Sequence, residues 1–179
     1  MKRWIGLFRG INVVGNNILP MASLVRHLEA VKLKNIKTYI QSGNVVFDTT
    51  AKNLTSLRKS IVAKIADEHG FSPKLLLISP EALQQAIDCN PFPHACPEHK
   101  SLHFFFLDES ATNPNTKALE SAKAESESYL LIDRVFYLHT PDGFGRSRLA
   151  SRVERHLGVA ATARNFRTVE KLMALALES

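Results

Sequence analysis

Two β-rich runs, Ile36-Lys37-Thr38-Tyr39-Ile40 and Asn44-Val45-Val46-Phe47, lie only three residues apart, and this adjacency constrains the fold more than anything else in the chain. Gln41-Ser42-Gly43 connects them, and its glycine is free to take positive φ, so the runs read as a hairpin. Upstream, Trp4-Ile5-Gly6-Leu7-Phe8 reads as a buried strand followed by a polar, glycine-containing loop. Pro20 then opens a helix whose stripe of Leu24, Leu28 and Val31 predicts an end near Leu33. Downstream, Leu54, Leu57, Ile61 and Ile65 predict a second helix closed by Gly70, and Lys74-Leu75-Leu76-Leu77-Ile78 a fourth strand. The resulting order, β-α-β-β-α-β, is that of the ferredoxin-like fold.

Ser79 before Pro80 caps a third helix containing Leu83 and Ile87. Asn90-Pro91-Phe92-Pro93-His94-Ala95-Cys96-Pro97 then concentrates three prolines, which places a boundary there and gives two consecutive subdomains, 1–90 and 91–179. In the second, Leu102-His103-Phe104-Phe105-Phe106-Leu107 reads as a strand and residues 115–125 as a helix. Tyr129-Leu130-Leu131-Ile132 and Val135-Phe136-Tyr137-Leu138 form a hairpin turning at Asp133-Arg134. This is a related β-α-β-β unit. Two C-terminal helices follow, one from about Arg148 to Leu157 and one from about Phe166 with Val169, Leu172, Met173 and Ala176 on one face. The fold class is α+β. On the first strand, Trp4 and Phe8 point to one side and Ile5 and Leu7 to the other, so both faces want cover; helices supply it on one, leaving the second half or another subunit for the other.

The composition, 45% hydrophobic and 22% charged, supports a packed core. No apolar run approaches the ~20 residues that span a bilayer, so the expectation is a cytoplasmic chain with no membrane association. Two cysteines, Cys89 and Cys96, suit a reducing compartment as free thiols. The net charge of +6 is uneven: residues 1–90 carry 12 basic and 6 acidic side chains, 91–145 carry 4 and 8, and 146–179 carry 7 and 3. The basic stretch of Arg146, Arg148, Arg152, Arg155, Arg164, Arg167 and Lys171 favours an anionic partner where its members share a face.

Four groups of residues could carry chemistry. Gly10 and Gly15 have the G-x-x-x-x-G spacing of a phosphate loop, but Asn16 and Asn17 stand where Lys and Ser or Thr are needed, which excludes nucleotide hydrolysis by that route. Arg9, Asn12, Asn17, Gln41, Ser42 and Asn44 supply donors and acceptors from two neighbouring turns without a general base, a set suited to recognition or simply to satisfying turn backbones. Arg146 with Ser147, and Arg164 with Asn165 and Thr168, place arginines at helix starts, which fits a held anion or capping with surface pairing. Cys89, His94, Cys96 and His99 lie within eleven residues but match no zinc spacing, so no metal site is expected there, and no cofactor motif appears. Gly43-Asn44-Val45-Val46-Phe47 also lacks the aromatic pattern of RNA-binding sheets.

Four ordered segments carry a family resemblance: Arg9-Gly10-Ile11-Asn12-Val13, Tyr39 through Phe47, Pro141-Asp142-Gly143-Phe144-Gly145-Arg146-Ser147 and Thr162 through Val169. Together they resemble the family catalogued as domain of unknown function 1697 (DUF1697) across essentially the whole chain. The resemblance implies two α+β subdomains, the first ferredoxin-like, and a site at the matching positions Arg9, Asn12, Gln41, Ser42, Asn44, Arg146, Ser147, Arg164, Asn165 and Thr168. It implies no activity. Two departures stand out: Val14-Gly15-Asn16 replaces a Gly-Gly-Lys-like run, and Phe166 replaces a common Trp, keeping apolar bulk but losing an indole N–H.

The functional expectation is a protein that binds an anionic, phosphate-bearing small molecule or a nucleic acid in a cleft between the subdomains. An alternative is an enzyme acting on a small anionic substrate, with arginines stabilising charge and Ser147 or a neighbouring His moving a proton. A third makes the motifs purely structural. Oligomeric state is open.

Overall fold

In the computed structural model, residues 1–13 and 15–178 are described. They form two compact units, Met1–Gln84 with Lys171–Ser179, and Gln85–Glu170. The division falls a few residues before the proline-rich stretch, and the last residues of the chain group with the first unit. Among the described residues no helix is long and apolar enough to cross a membrane.

The first unit contains β1 (Lys2–Arg9), α1 (Met21–Ala30), β2 (Lys34–Tyr39), β3 (Asn44–Thr49), α2 (Leu54–His69) and β4 (Lys74–Ile78). The strands form one antiparallel sheet in the order β2-β3-β1-β4. The expected hairpin is present, with Tyr39 opposite Asn44. Its turn runs through Ile40 at φ 49° and Gly43 at φ 74°. β1 lies between β3 and β4, and Ile5, Leu7 and Phe8 on its two faces are all buried. Phe8, Val45 and Phe47 face Leu24 and Leu28 of α1 and Leu57, Ile61 and Ile65 of α2, which form the core.

α1 ends at Ala30, earlier than its apolar stripe suggests. Lys32 takes a left-handed φ of 66°. The Lys32 N–H then reaches the Glu29 carbonyl at 2.8 Å and the Leu33 N–H the Leu28 carbonyl at 3.1 Å, a Schellman closure in which buried Leu33 packs back onto the core. α2 follows its sequence signals. The Asn53 carboxamide oxygen accepts from the Ser56 N–H at 2.9 Å at the start, and Gly70 closes the end at φ 73°. Arg3 on β1 pairs with Asp48 on β3 at 2.9 Å and donates to the Ala176 carbonyl at 3.1 Å, which ties the chain's end to this unit.

After α3 (Pro80–Asp88), the second unit holds β5 (Leu102–Leu107), α4 (Thr116–Ala122), β6 (Ser128–Ile132), β7 (Val135–His139), α5 (Val153–Leu157) and β8 (Ala161–Asn165); α6 (Phe166–Leu177) follows directly. Its sheet has the order β6-β7-β5-β8, again antiparallel throughout. Two expectations are corrected here. Residues 161–165, to which the sequence assigns no element between the two C-terminal helices, form an edge strand. Ala161, Thr162 and Ala163 carry little strand signal of their own, and pairing with the buried, phenylalanine-rich β5 supplies the ladder. The helix expected from Arg148 is a short 3-10 turn, Ala150–Arg152, followed by a five-residue α5, because Arg152 at φ −118° and ψ −2° departs from helical geometry. With β8 present, the second unit completes the same β-α-β-β-α-β order as the first.

Gly43 offers a direct test of the hairpin. A Cβ there would stand 2.5 Å from the Phe8 Cβ and 2.6 Å from Ile11 Cδ1, at a backbone angle that L residues rarely adopt. Gly43→Ala is expected to destabilise the protein by about 3 kcal/mol, combining about 1–2 for the left-handed residue with about 1–3 for overpacking. A lowered urea midpoint with an unchanged slope checks this, and a wild-type midpoint would refute it.

Candidate functional site

The first set of sequence candidates gathers at one end of the first sheet. Asn12, at φ 52°, spends its whole side chain on the backbone. Its amide donates to the Leu19 carbonyl at 2.9 Å and the Gln41 carbonyl at 2.8 Å, while its oxygen accepts from the Leu19 N–H at 2.8 Å. The Asn17 amide donates to the Gly10 carbonyl at 2.7 Å. Asn44, fully buried, donates to the Tyr39 carbonyl at 3.2 Å and the Ser42 hydroxyl at 2.8 Å. These asparagines therefore brace the loop after β1 against the β2–β3 turn. Gln41 and Ser42 are exposed beside them, and Arg9 is half-buried at the end of β1, opposite Lys74.

The remaining candidates belong to the second unit. Asp142 and Gly143 lead into a 3-10 turn, Phe144–Arg146, with Gly143 at φ 103°. The Phe144 ring stacks on His103 of β5 at 3.8 Å between centroids, and this stack seats the turn on the sheet. Arg146 is exposed. Ser147 is buried, and its hydroxyl oxygen accepts from the Ala150 N–H at 2.9 Å, the capping role open to it from sequence. Arg164 lies on β8 opposite Phe104; its guanidinium donates to the Ala163 carbonyl at 2.8 Å, and burial pushes its pKa down to about 10. Asn165 accepts from the Thr168 N–H at 3.0 Å and so starts α6, where Thr168 itself is buried.

Lys100 and Arg167 share a cleft that the motifs alone do not reveal, a space of about 400 Å³ within the second unit. One wall is the run Pro97 to Ser101, which enters β5; the other is Thr140, Pro141 and Gly143, which leave β7. The two walls are joined where the Thr140 N–H and hydroxyl both donate to the Ser101 carbonyl, at 2.8 and 3.0 Å. Arg167, in the first turn of α6, completes the lining. His99 is fixed in the wall by stacking on Phe166 at 5.9 Å and by an ion-pair contact of 2.9 Å with Glu170. Lys100 and Arg167 are exposed and neither has an ion-pair partner among the described residues, while Glu98 adds a carboxylate to the same rim. In the sequence Arg167 belongs to the basic stretch and to the segment from Thr162 to Val169 without being a candidate site residue, and Lys100 belongs to no motif. The available signal was a proline before β5 (Pro97) and another after β7 (Pro141), two strands that pair antiparallel so that these ends lie side by side.

The cysteine and histidine run does not converge. Cys89 and Cys96 are free thiols, and Cys96 accepts from the Asn90 amide at 3.3 Å. His94 packs against Phe92 and His139, whereas His99 turns to Phe166 and Glu170.

With this geometry in place, comparison with known proteins gives a clear grouping. The sequence pattern of the family described as protein of unknown function DUF1697 matches residues 1–137. The chain belongs to that family. A solved structure of a conserved bacterial protein from Streptococcus pneumoniae superposes with a TM-score of 0.75 at 22% identity, covering 97% of this chain and 98% of the other, a likeness that shows a shared fold and nothing about activity. No curated protein matches.

His103, central in β5 and stacked under Phe144, should give the second unit an acid-sensitive stability. Burial pushes its pKa down to about 4 from an ordinary 6.5, outweighing a backbone contact at Ser101 that favours the charged form. Between those values the unfolded chain binds a proton that the folded chain refuses. Stability is therefore full above about pH 6.5 and falls as the pH drops towards 4, by about 3 kcal/mol. Urea midpoints measured across this window should show the decline, and His103→Gln should flatten it.

Proposed function

We propose that this DUF1697 protein binds a small phosphate-bearing molecule in the cleft of its second unit. The observation that carries the reading is the placement of Lys100 and Arg167, two exposed cations without ion-pair partners among the described residues, on one cleft of about 400 Å³. A planar guanidinium and a compact ammonium together suit a phosphate, the first through paired N–H donors and the second as a point charge. Glu98 on the same rim would repel a second phosphate and accept from a hydroxyl or amino group. That combination favours a phosphorylated metabolite carrying hydroxyl or amino donors over a nucleic acid strand, whose charge repeats at every step. Arg146, at the end of the 3-10 turn that follows the far wall, adds positive potential nearby. His99, held by Phe166 and Glu170, gives the wall a fixed edge, so little ordering would accompany binding.

Calorimetric titration with inorganic phosphate, pyrophosphate, ribose 5-phosphate and a short oligonucleotide tests the proposal. Saturable binding of ribose 5-phosphate is expected, weakened about tenfold or more by Lys100→Ala and by Arg167→Ala, since each removes a charge-assisted contact. Stronger binding of the oligonucleotide, or titrations unchanged in the double variant, would overturn it.

A further inference from the structure

Outside the second unit's cleft, the chain places three ligating side chains together on the helical face of the first unit. His27 lies in the last turn of α1, and Glu68 and His69 close α2. One donor atom from each lies within 4.8 Å of the other two. The two imidazoles meet through their Nε2 atoms at 2.9 Å, with the rings edge-on at 82° and centroids 5.1 Å apart. The Glu68 carboxylate faces Nδ1 of His27 at 3.5 Å. No motif in the sequence announces this group, because its members are separated by some forty residues and come together only when α1 and α2 cover the same sheet.

We infer that His27, Glu68 and His69 form a binding site for a borderline divalent transition ion, zinc first. The donor set is two imidazoles and one carboxylate, which leaves a fourth position for water, a combination that zinc accepts. Zinc–nitrogen bonds of about 2.0–2.1 Å put two imidazole nitrogens about 2.9 Å apart at a right angle and about 3.4 Å apart at the tetrahedral angle, so the present spacing needs only a small opening. In the ion-free contact a single proton joins the rings. Ion entry requires His69 to swing until both lone pairs converge, and His69, at the end of α2 and only partly buried, has that freedom.

Three local features favour the ion. His27 is 1% exposed, and burial disfavours its charged form. Both histidines sit in the last turn of their helices, where the carbonyl ends attract cations. Glu68 is 42% exposed on its side chain and held by loose contacts of 3.5 Å to His27 and 3.6 Å to Lys64, so a rotamer change can bring its oxygen onto the ion. Opposing charge comes from Arg26 and Lys64, whose fields both disfavour added positive charge at His27. The ion should therefore bind with moderate affinity and be lost on acidification, as protons compete for the imidazoles.

The test is calorimetry with zinc chloride on the chelator-treated full chain carrying Cys89→Ser and Cys96→Ser, so that thiols cannot contribute. One zinc per chain is expected at pH 7.5, with affinity reduced at least about tenfold by His69→Ala and by Glu68→Gln. His69→Ala is preferred to a His27 variant because His69 is less buried; its circular dichroism and ion-free melting temperature should match the parent. Cobalt chloride should give visible d–d absorption without a sulfur charge-transfer band, and this absorption should vanish in His69→Ala. Absence of zinc binding, or binding unchanged in both variants, would overturn the site and leave the pair as a hydrogen-bonded clasp between two helices.

Discussion

Each unit depends on a central strand that is paired antiparallel on both sides and buried on both faces. In the first it is β1, with Ile5, Leu7 and Phe8 inaccessible; in the second it is β5, whose six residues are all buried. Such a strand has no freedom to slip, because a one-residue shift would exchange every side chain between faces and break two ladders at once. The positions of all neighbouring elements follow. The hairpin strand lies on one side, the last strand on the other, and the helices are drawn to the face where Phe8 and Phe47, or Phe105 and Phe136, present their rings.

A rigid centre concentrates conformational specialisation at the strand ends. In the first unit this takes the form of Asn12, which binds two segments through three hydrogen bonds, and Gly43, which lets the turn close against Phe8 and Ile11. In the second it is the stack of Phe144 on His103 and the capping of Ala150 by Ser147. Polar residues that look like ligands in the sequence thus also serve as local architecture. The same amide or hydroxyl that could meet a substrate is the least costly way to satisfy a buried backbone group. Lys100 and Arg167 differ because, among the described residues, no backbone group claims them.

Legibility in the sequence tracked the strength of local signals. The β2–β3 hairpin, α2 with its Asn53 start and Gly70 end, and the β6–β7 turn at Asp133 were readable because each combines periodicity with a residue whose φ or cap chemistry is distinctive. β8 was not, since Ala161-Thr162-Ala163 acquires its extended form from β5. The end of α1 was misplaced because Lys32, not a glycine, adopts the left-handed angle, and its stabilisation comes from Leu33 burying itself in the core. Among site residues, Arg146, Ser147, Arg164 and Asn165 could be singled out as a motif, but the cleft residue Lys100 could not, because Thr140 and Pro141, which line the cleft with it, are far away along the chain.

The sequence by itself determined the α+β class, the β-α-β-β-α-β order of the first unit, the family and the turns, because all of these rest on interactions between residues close along the chain. Only the tertiary structure decided that the second unit completes the same order, that Lys100 and Arg167 line one cleft, and that His27 meets Glu68 and His69. Those outcomes depend on which strand ends and helix ends the buried central strands bring side by side, and contacts of that separation leave no periodic trace in the sequence.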